Sequence, residues 1–154
     1  MVPVLIAIHV VLVVLWIGGV GFVTLVIFPQ LLKMESSLEQ VLFFHRMEGK
    51  FAKQAKAYVW LTGLTGALLL YFTGRHTLLF RAETLGISVM IVVWALYLLV
   101  LTFEKRVFGK LFAGKEQTDS RKVFRFLTAF HWAVLGMSLL AVFVGVWQGH
   151  GGGL

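Results

Sequence analysis

The side chains able to do metal or proton chemistry are few. The 154-residue chain has five histidines, five methionines, seven carboxylates and no cysteine. Without cysteine there is no disulfide, thiolate metal site or iron–sulfur cluster. The most informative histidine is His9. It lies in the stretch Met1 to Leu32, which holds no Asp, Glu, Lys or Arg. A histidine in a lipid-spanning segment is costly without a partner, so it marks a functional-site hypothesis. Trp16 follows seven residues later, two helical turns on, and shares its face. His131, Ser138 and Gly145 repeat the arrangement near the C-terminus, again at intervals of seven. A histidine on a stripe that ends in small residues can accommodate a planar ring, and haem b asks for one or two axial histidines. The plain alternative for each histidine is a hydrogen bond to a neighbouring helix.

The elements that must carry these residues are apolar. The composition is 59% hydrophobic and 14% charged, against about a quarter charged in soluble domains. Mean hydropathy is +0.90. Four apolar segments cover roughly residues 2–28, 57–73, 84–103 and 126–148, on helices expected over 2–28, 37–73, 84–103 and 126–148. Each approaches the ~20 residues that cross a bilayer. The expected fold is all-α, a single integral membrane four-helix bundle over residues 1–154. The first segment lacks the basic start and cleavage site of a signal peptide and reads as a retained helix. Pro29 is expected to end it. Ser36-Ser37-Leu38-Glu39-Gln40 offers two overlapping capping boxes, so the second helix should begin near Ser37 and project beyond the membrane before entering it. Asp119 or Ser120 is the expected N-cap of the last helix. Thr62-Gly63-Leu64-Thr65-Gly66-Ala67, with Gly18, Gly19 and Gly21, supplies small residues for close helix packing.

Charge gives the expected orientation. The formal net charge is +7. Five Lys/Arg lie in 33–56, seven in 104–125 and two, Arg75 and Arg81, in 74–83. Twelve against two places both long connections in the cytoplasm and both termini outside. The basic excess is thus a topology signal rather than a nucleic-acid footprint, and the lipid bilayer is the partner it implies. A homodimer is compatible with the sequence. No phosphate loop, Ser-His-Asp triad or HExxH motif occurs, and no run of acids crosses the membrane.

This orientation sorts the histidines. His9, His76 and His150 fall on the outer side, and His131 and His45 on the inner. Haem ligands are then expected from His9 with His76 or His150, and from His131 with His45. Arg75 and Arg81 outside, and Arg46 inside, could meet anionic propionates. Trp16, Gly19, Ser138 and Gly145 would wall the pockets. Glu83 and Glu104 would sit at the two interfaces.

His9-x6-Trp16-Ile17-Gly18-Gly19 with Phe28-Pro29 resembles the opening helix of bacterial CopD-like membrane proteins, the copper-resistance D superfamily. Met47-Glu48 through Phe51-Ala52, leading into Leu61-Thr62-Gly63, resembles the start of that family's second helix. His131-Trp132 and Gly149-His150-Gly151 resemble the end of a small four-helix branch. The opening, Met47-Glu48, Phe112-Ala113-Gly114-Lys115 and Ser120 to Arg125 also resemble HemJ-type protoporphyrinogen oxidase, whose helix 1 histidine, implied as a haem ligand, maps onto His9. That family's helix 3 lysine and histidine have no counterpart in Thr84 to Phe103, and its Asn-Glu pair before helix 4 is missing.

Three readings follow. The first is a b-type haem protein of the bacterial inner membrane, with one or two haems, passing electrons to or from quinone or a redox partner protein. The second, which the CopD-like resemblance implies, is copper handling through His9, His76, His150 and Met1. The third is a structural or assembly subunit without a cofactor. Whether the protein is an enzyme, and with what substrate, stays open.

Overall fold

A computed structural model describes residues 1–81, 84–112 and 120–149. His150, Glu83 and Asp119 lie outside the described residues, as do the side chains of His45 and Glu104. Among the described residues the chain is helical without a strand: α1 (Val2–Phe22), a π-turn (Val23–Ile27), α2 (Phe28–Lys33), α3 (Ser37–Thr73), a short 3-10 turn (Arg75–Leu78), α4 (Leu85–Phe112) and α5 (Ser120–Gly149). Four stretches, Val2–Lys33, Phe51–Thr73, Leu85–Phe103 and Lys122–Gly149, are long and apolar enough to cross a membrane. No more than 22% of any stretch's most apolar window is buried within the bundle. The outward side chains include Val4, Val14, Leu64, Val92, Leu140 and Phe143. Water would penalise such a surface, whereas lipid accepts it.

Pro29 does not end the first helix. The chain runs on to Lys33 because the π-turn precedes the proline, the Phe28 N–H bonding back to the Val23 carbonyl. Within an uninterrupted α-helix the proline ring would strike the carbonyl four residues earlier and leave one bond unmade. A wider turn removes that conflict, and Pro29 occupies the first turn of α2, where a proline is tolerated. The buried Thr24 hydroxyl donates to the Val20 carbonyl at 2.7 Å within the same region.

Three other boundaries have local causes. Ser36 caps α3, accepting from the Glu39 N–H at 3.3 Å. Gln40 is buried and donates to the Met34 carbonyl at 2.8 Å, holding the α2–α3 connection. At 37 residues α3 is about 55 Å long, more than the ~30 Å of a hydrocarbon core. It stops at Gly74, whose φ of 70° is the left-handed cap conformation. α4 continues beyond Phe103 to Phe112, and α5 begins at Ser120, where its N-cap is expected and ahead of the apolar segment from Phe126. Lys, Arg, Leu and Phe carry the helix on where hydropathy falls, since loss of apolar character ends a membrane span and not a helix.

α1 packs mainly on α3, and α4 on α5. Trp16, Val20, Val59, Val93, Tyr97, Val134 and Leu135 join all four spans in one core. A second core of Ile27, Phe28, Leu31, Val123, Phe124 and Leu127 ties α2 to α5. Glycine sets the closest approach. A Cβ on Gly86 would lie 2.6 Å from the Gly145 nitrogen and 2.8 Å from its Cα, both backbone atoms. Gly86→Ala is therefore expected to cost about 1–3 kcal/mol through forced separation of α4 and α5. Gly136→Ala, with nothing within 4 Å of the new Cβ, should be neutral or mildly stabilising. Thermal unfolding of the two variants in detergent checks the contrast.

Candidate functional site

Both membrane histidines have one ring nitrogen engaged. His9 Nδ1 lies 2.8 Å from Thr65 Oγ1 on α3. The Thr65 hydroxyl is 2.8 Å from the Leu61 carbonyl and 3.1 Å from that of Thr62. Carbonyls only accept, so the single hydroxyl proton goes to them and the Thr65 oxygen accepts from His9. All these bonds form together only if His9 carries its proton on Nδ1. The Nε2 lone pair is then free for a metal or a donor. Gly66 allows this contact, since a Cβ there would lie 3.1 Å from His9 Cε1. His131 reaches the same tautomer within its own helix, its Nδ1–H donating to the Leu127 carbonyl at 2.9 Å. Its ring stands edge-on to Phe28 at 4.8 Å and to Phe130 at 5.7 Å.

The two histidines open on different cavities. That of His9 has a volume of about 840 Å³, and its walls include Trp16, Gly63, Gly66, Met90, Trp94 and Gly145. Arg75, the residue after the left-handed Gly74, brings a cation to the same cavity. Trp94 lies across Gly63, where any Cβ would overlap the indole, and its Nε1–H donates to the Val59 carbonyl at 2.8 Å. The cavity of His131 has a volume of about 290 Å³ and is bordered by Gly19, Phe28, Met47, Phe51 and Tyr97. Trp16 borders both.

The other expected site residues are distributed unevenly. His76 is exposed, with Nδ1 3.3 Å from the Leu70 carbonyl, and lines neither cavity. Arg81 and Arg46 are likewise exposed and line neither. Ser138 is buried and lines neither cavity, its hydroxyl donating to the Val134 carbonyl at 2.8 Å. Of the expected sets, the structure thus brings His9, Trp16, Arg75 and Gly145 together on one cavity, and His131, Trp16 and Gly19 on the other. Residues beyond the sequence reading are Thr65, as partner of His9, Tyr97, and the thioethers of Met90 and Met47. Tyr97 carried a signal, being one of the few polar groups in its span. Thr65 could be singled out only by knowing that α1 lies on α3.

Among the described residues no three His, Cys, Asp or Glu side chains gather to hold a metal ion. Compared with protein-family models, curated proteins and solved structures, the chain matches none.

Thr65→Val should leave the His9 Nδ1–H without its acceptor and cost about 1–3 kcal/mol, whereas Thr65→Ser should keep most of the bond. Thermal unfolding of the purified protein in detergent distinguishes the two.

Proposed function

We propose that the protein binds haem b in the His9 cavity and serves one-electron transfer in the bacterial inner membrane. The observation that carries this reading is the His9 imidazole, held through Nδ1 with Nε2 free, on a cavity of about 840 Å³ that also has Arg75 on its wall. Porphyrin brings its own four nitrogen donors and asks the chain for only one or two more. His9 would supply an axial nitrogen, with Thr65 fixing its tautomer and raising its basicity. Arg75 would pair with a propionate, and Gly145, with nothing within 4 Å of where a Cβ would stand, leaves room beside a flat macrocycle. Bound haem would carry one electron at a time. The chain would set its potential through ligand and burial, and exchange electrons with a lipid-soluble quinone or a redox partner. Met90, on the same wall, favours a second reading, Cu(I) held by imidazole and thioether.

We place the connections 33–56 and 104–125 in the cytoplasm and both termini outside, because twelve of the fourteen Lys/Arg lie in those two connections. Arg75 and the mouth of the His9 cavity then face outward.

Protein purified after expression with ample haem should show a Soret band and a reduced-minus-oxidised b-type spectrum. His9→Ala should lose it, His131→Ala should retain it, and Thr65→Val should weaken haem binding about 10–100-fold. A colourless parent with stoichiometric copper by metal analysis would replace haem with the copper reading; a colourless parent without metal would leave a cofactor-free subunit. Orientation is checked separately. The chain has no native cysteine, so Thr77→Cys should react with a membrane-impermeant maleimide on intact cells, and Lys53→Cys should react only after lysis.

A further inference from the structure

The His131 cavity has no part in the haem reading, yet its wall includes Trp16 and Tyr97, two of the three side chains with a buried unpaired polar atom among the described residues. Tyr97 is 7% exposed and Trp16 3%. Neither the Tyr97 hydroxyl nor the Trp16 Nε1–H has a hydrogen-bond partner. A buried donor left unmade is destabilising, and lipid offers no water to relieve it. The two rings meet edge-on at 5.3 Å, and both border this cavity with His131. His131 Nδ1 is engaged by Leu127, so Nε2 remains an acceptor. Two side chains with buried unpaired donors, Tyr97 and Trp16, thus share the wall of a single space with His131.

The rest of the wall narrows the ligand class. Apart from Gln54 and Tyr58 it is apolar and aromatic, with Phe28, Phe44, Phe51 and Phe130 among its side chains, a lining that favours a flat ring. Its volume of about 290 Å³ is roughly a third of the 840 Å³ beside His9, which suits a small ring system and not a macrocycle. Among the described residues no Lys, Arg, Asp or Glu lines it, which suits a neutral ligand. Most of its wall lies on segments long and apolar enough to cross a membrane, which suits a ligand that arrives from lipid. The π-turn contributes Val23 and Ile27 to the same wall, and such turns are frequent at functional sites.

We propose that the His131 cavity binds the ring of a membrane-soluble quinone, with Tyr97 and Trp16 donating to a ring carbonyl and His131 Nε2 accepting from the hydroxyl of the reduced form. This assignment stands without haem, because the cavity includes neither His9 nor Arg75.

The test is binding of decylubiquinone to the full chain in nanodiscs, followed by native mass spectrometry, with decylbenzene as a probe of equal tail and no carbonyl. The parent should take up one decylubiquinone per chain saturably, and decylbenzene should not saturate. Tyr97→Phe keeps the ring and its edge contact with Trp16. It should fold with an unfolding midpoint at or above the parent's, yet bind decylubiquinone about tenfold more weakly. Trp16→Phe should also weaken binding and serves as the second variant. His9→Ala should bind decylubiquinone like the parent. Non-saturable uptake, equal uptake of decylbenzene, or unchanged affinity in both variants would overturn the proposal. Quinone binding lost while the Soret band persists rejects this site alone. A colourless protein that still binds quinone rejects only the haem.

Discussion

Lipid offers neither donor nor acceptor, so every polar group within the four spans must be satisfied by the protein. The bundle meets this condition with one repeated device. Thr24, Thr65, Thr102, Thr128 and Ser138 each turn the hydroxyl back onto the carbonyl four residues earlier on the same helix. His131 does the same through Nδ1. A group satisfied by its own helix makes no demand on a neighbour, so the faces in contact can be almost wholly apolar. His9 departs from this economy. Its bond crosses to Thr65 on α3 and ties α1 to that helix at one depth and rotation. Thr62, Tyr97 and Trp16 depart further, being buried with a polar atom unpaired, and all three border the two cavities.

Close approach is the second condition, because dispersion forces and not hydrophobic exclusion hold helices together in lipid. Gly63 lets the Trp94 indole lie across α3, and Gly66 lets the His9 ring reach Thr65. The same two glycines help to line the larger cavity. Packing and pocket therefore draw on one motif, and the small residues of Thr62 to Ala67 serve both purposes at once.

Much of this organisation is legible in the residues themselves. Four uncharged stretches mark the spans, Ser36 and Glu39 at capping distance mark where α3 begins, and the seven-residue step from His9 to Trp16 places both on one cavity. What escapes is relational. Thr65 is one of several threonines until α1 is known to lie on α3, and Arg75 differs from Arg81 only through the turn that follows Gly74. The far end of α4 escapes for another reason. Hydropathy reports where lipid stops, while Lys- and Arg-rich sequence keeps helical propensity well past that point.

The π-turn has a consequence for how the first span is read. One residue more than an α-helical turn is accommodated between Val23 and Ile27, which shifts the angular phase of all that follows by about 100°. Positions before Phe22 and after Phe28 therefore obey two different helical wheels. A single wheel drawn from Val2 to Lys33 would assign Phe28 and Leu31 to the wrong sector, although both are buried. Alignment of this segment with an uninterrupted helix has to open a one-residue gap near Thr24, or every facing relation beyond it is misassigned.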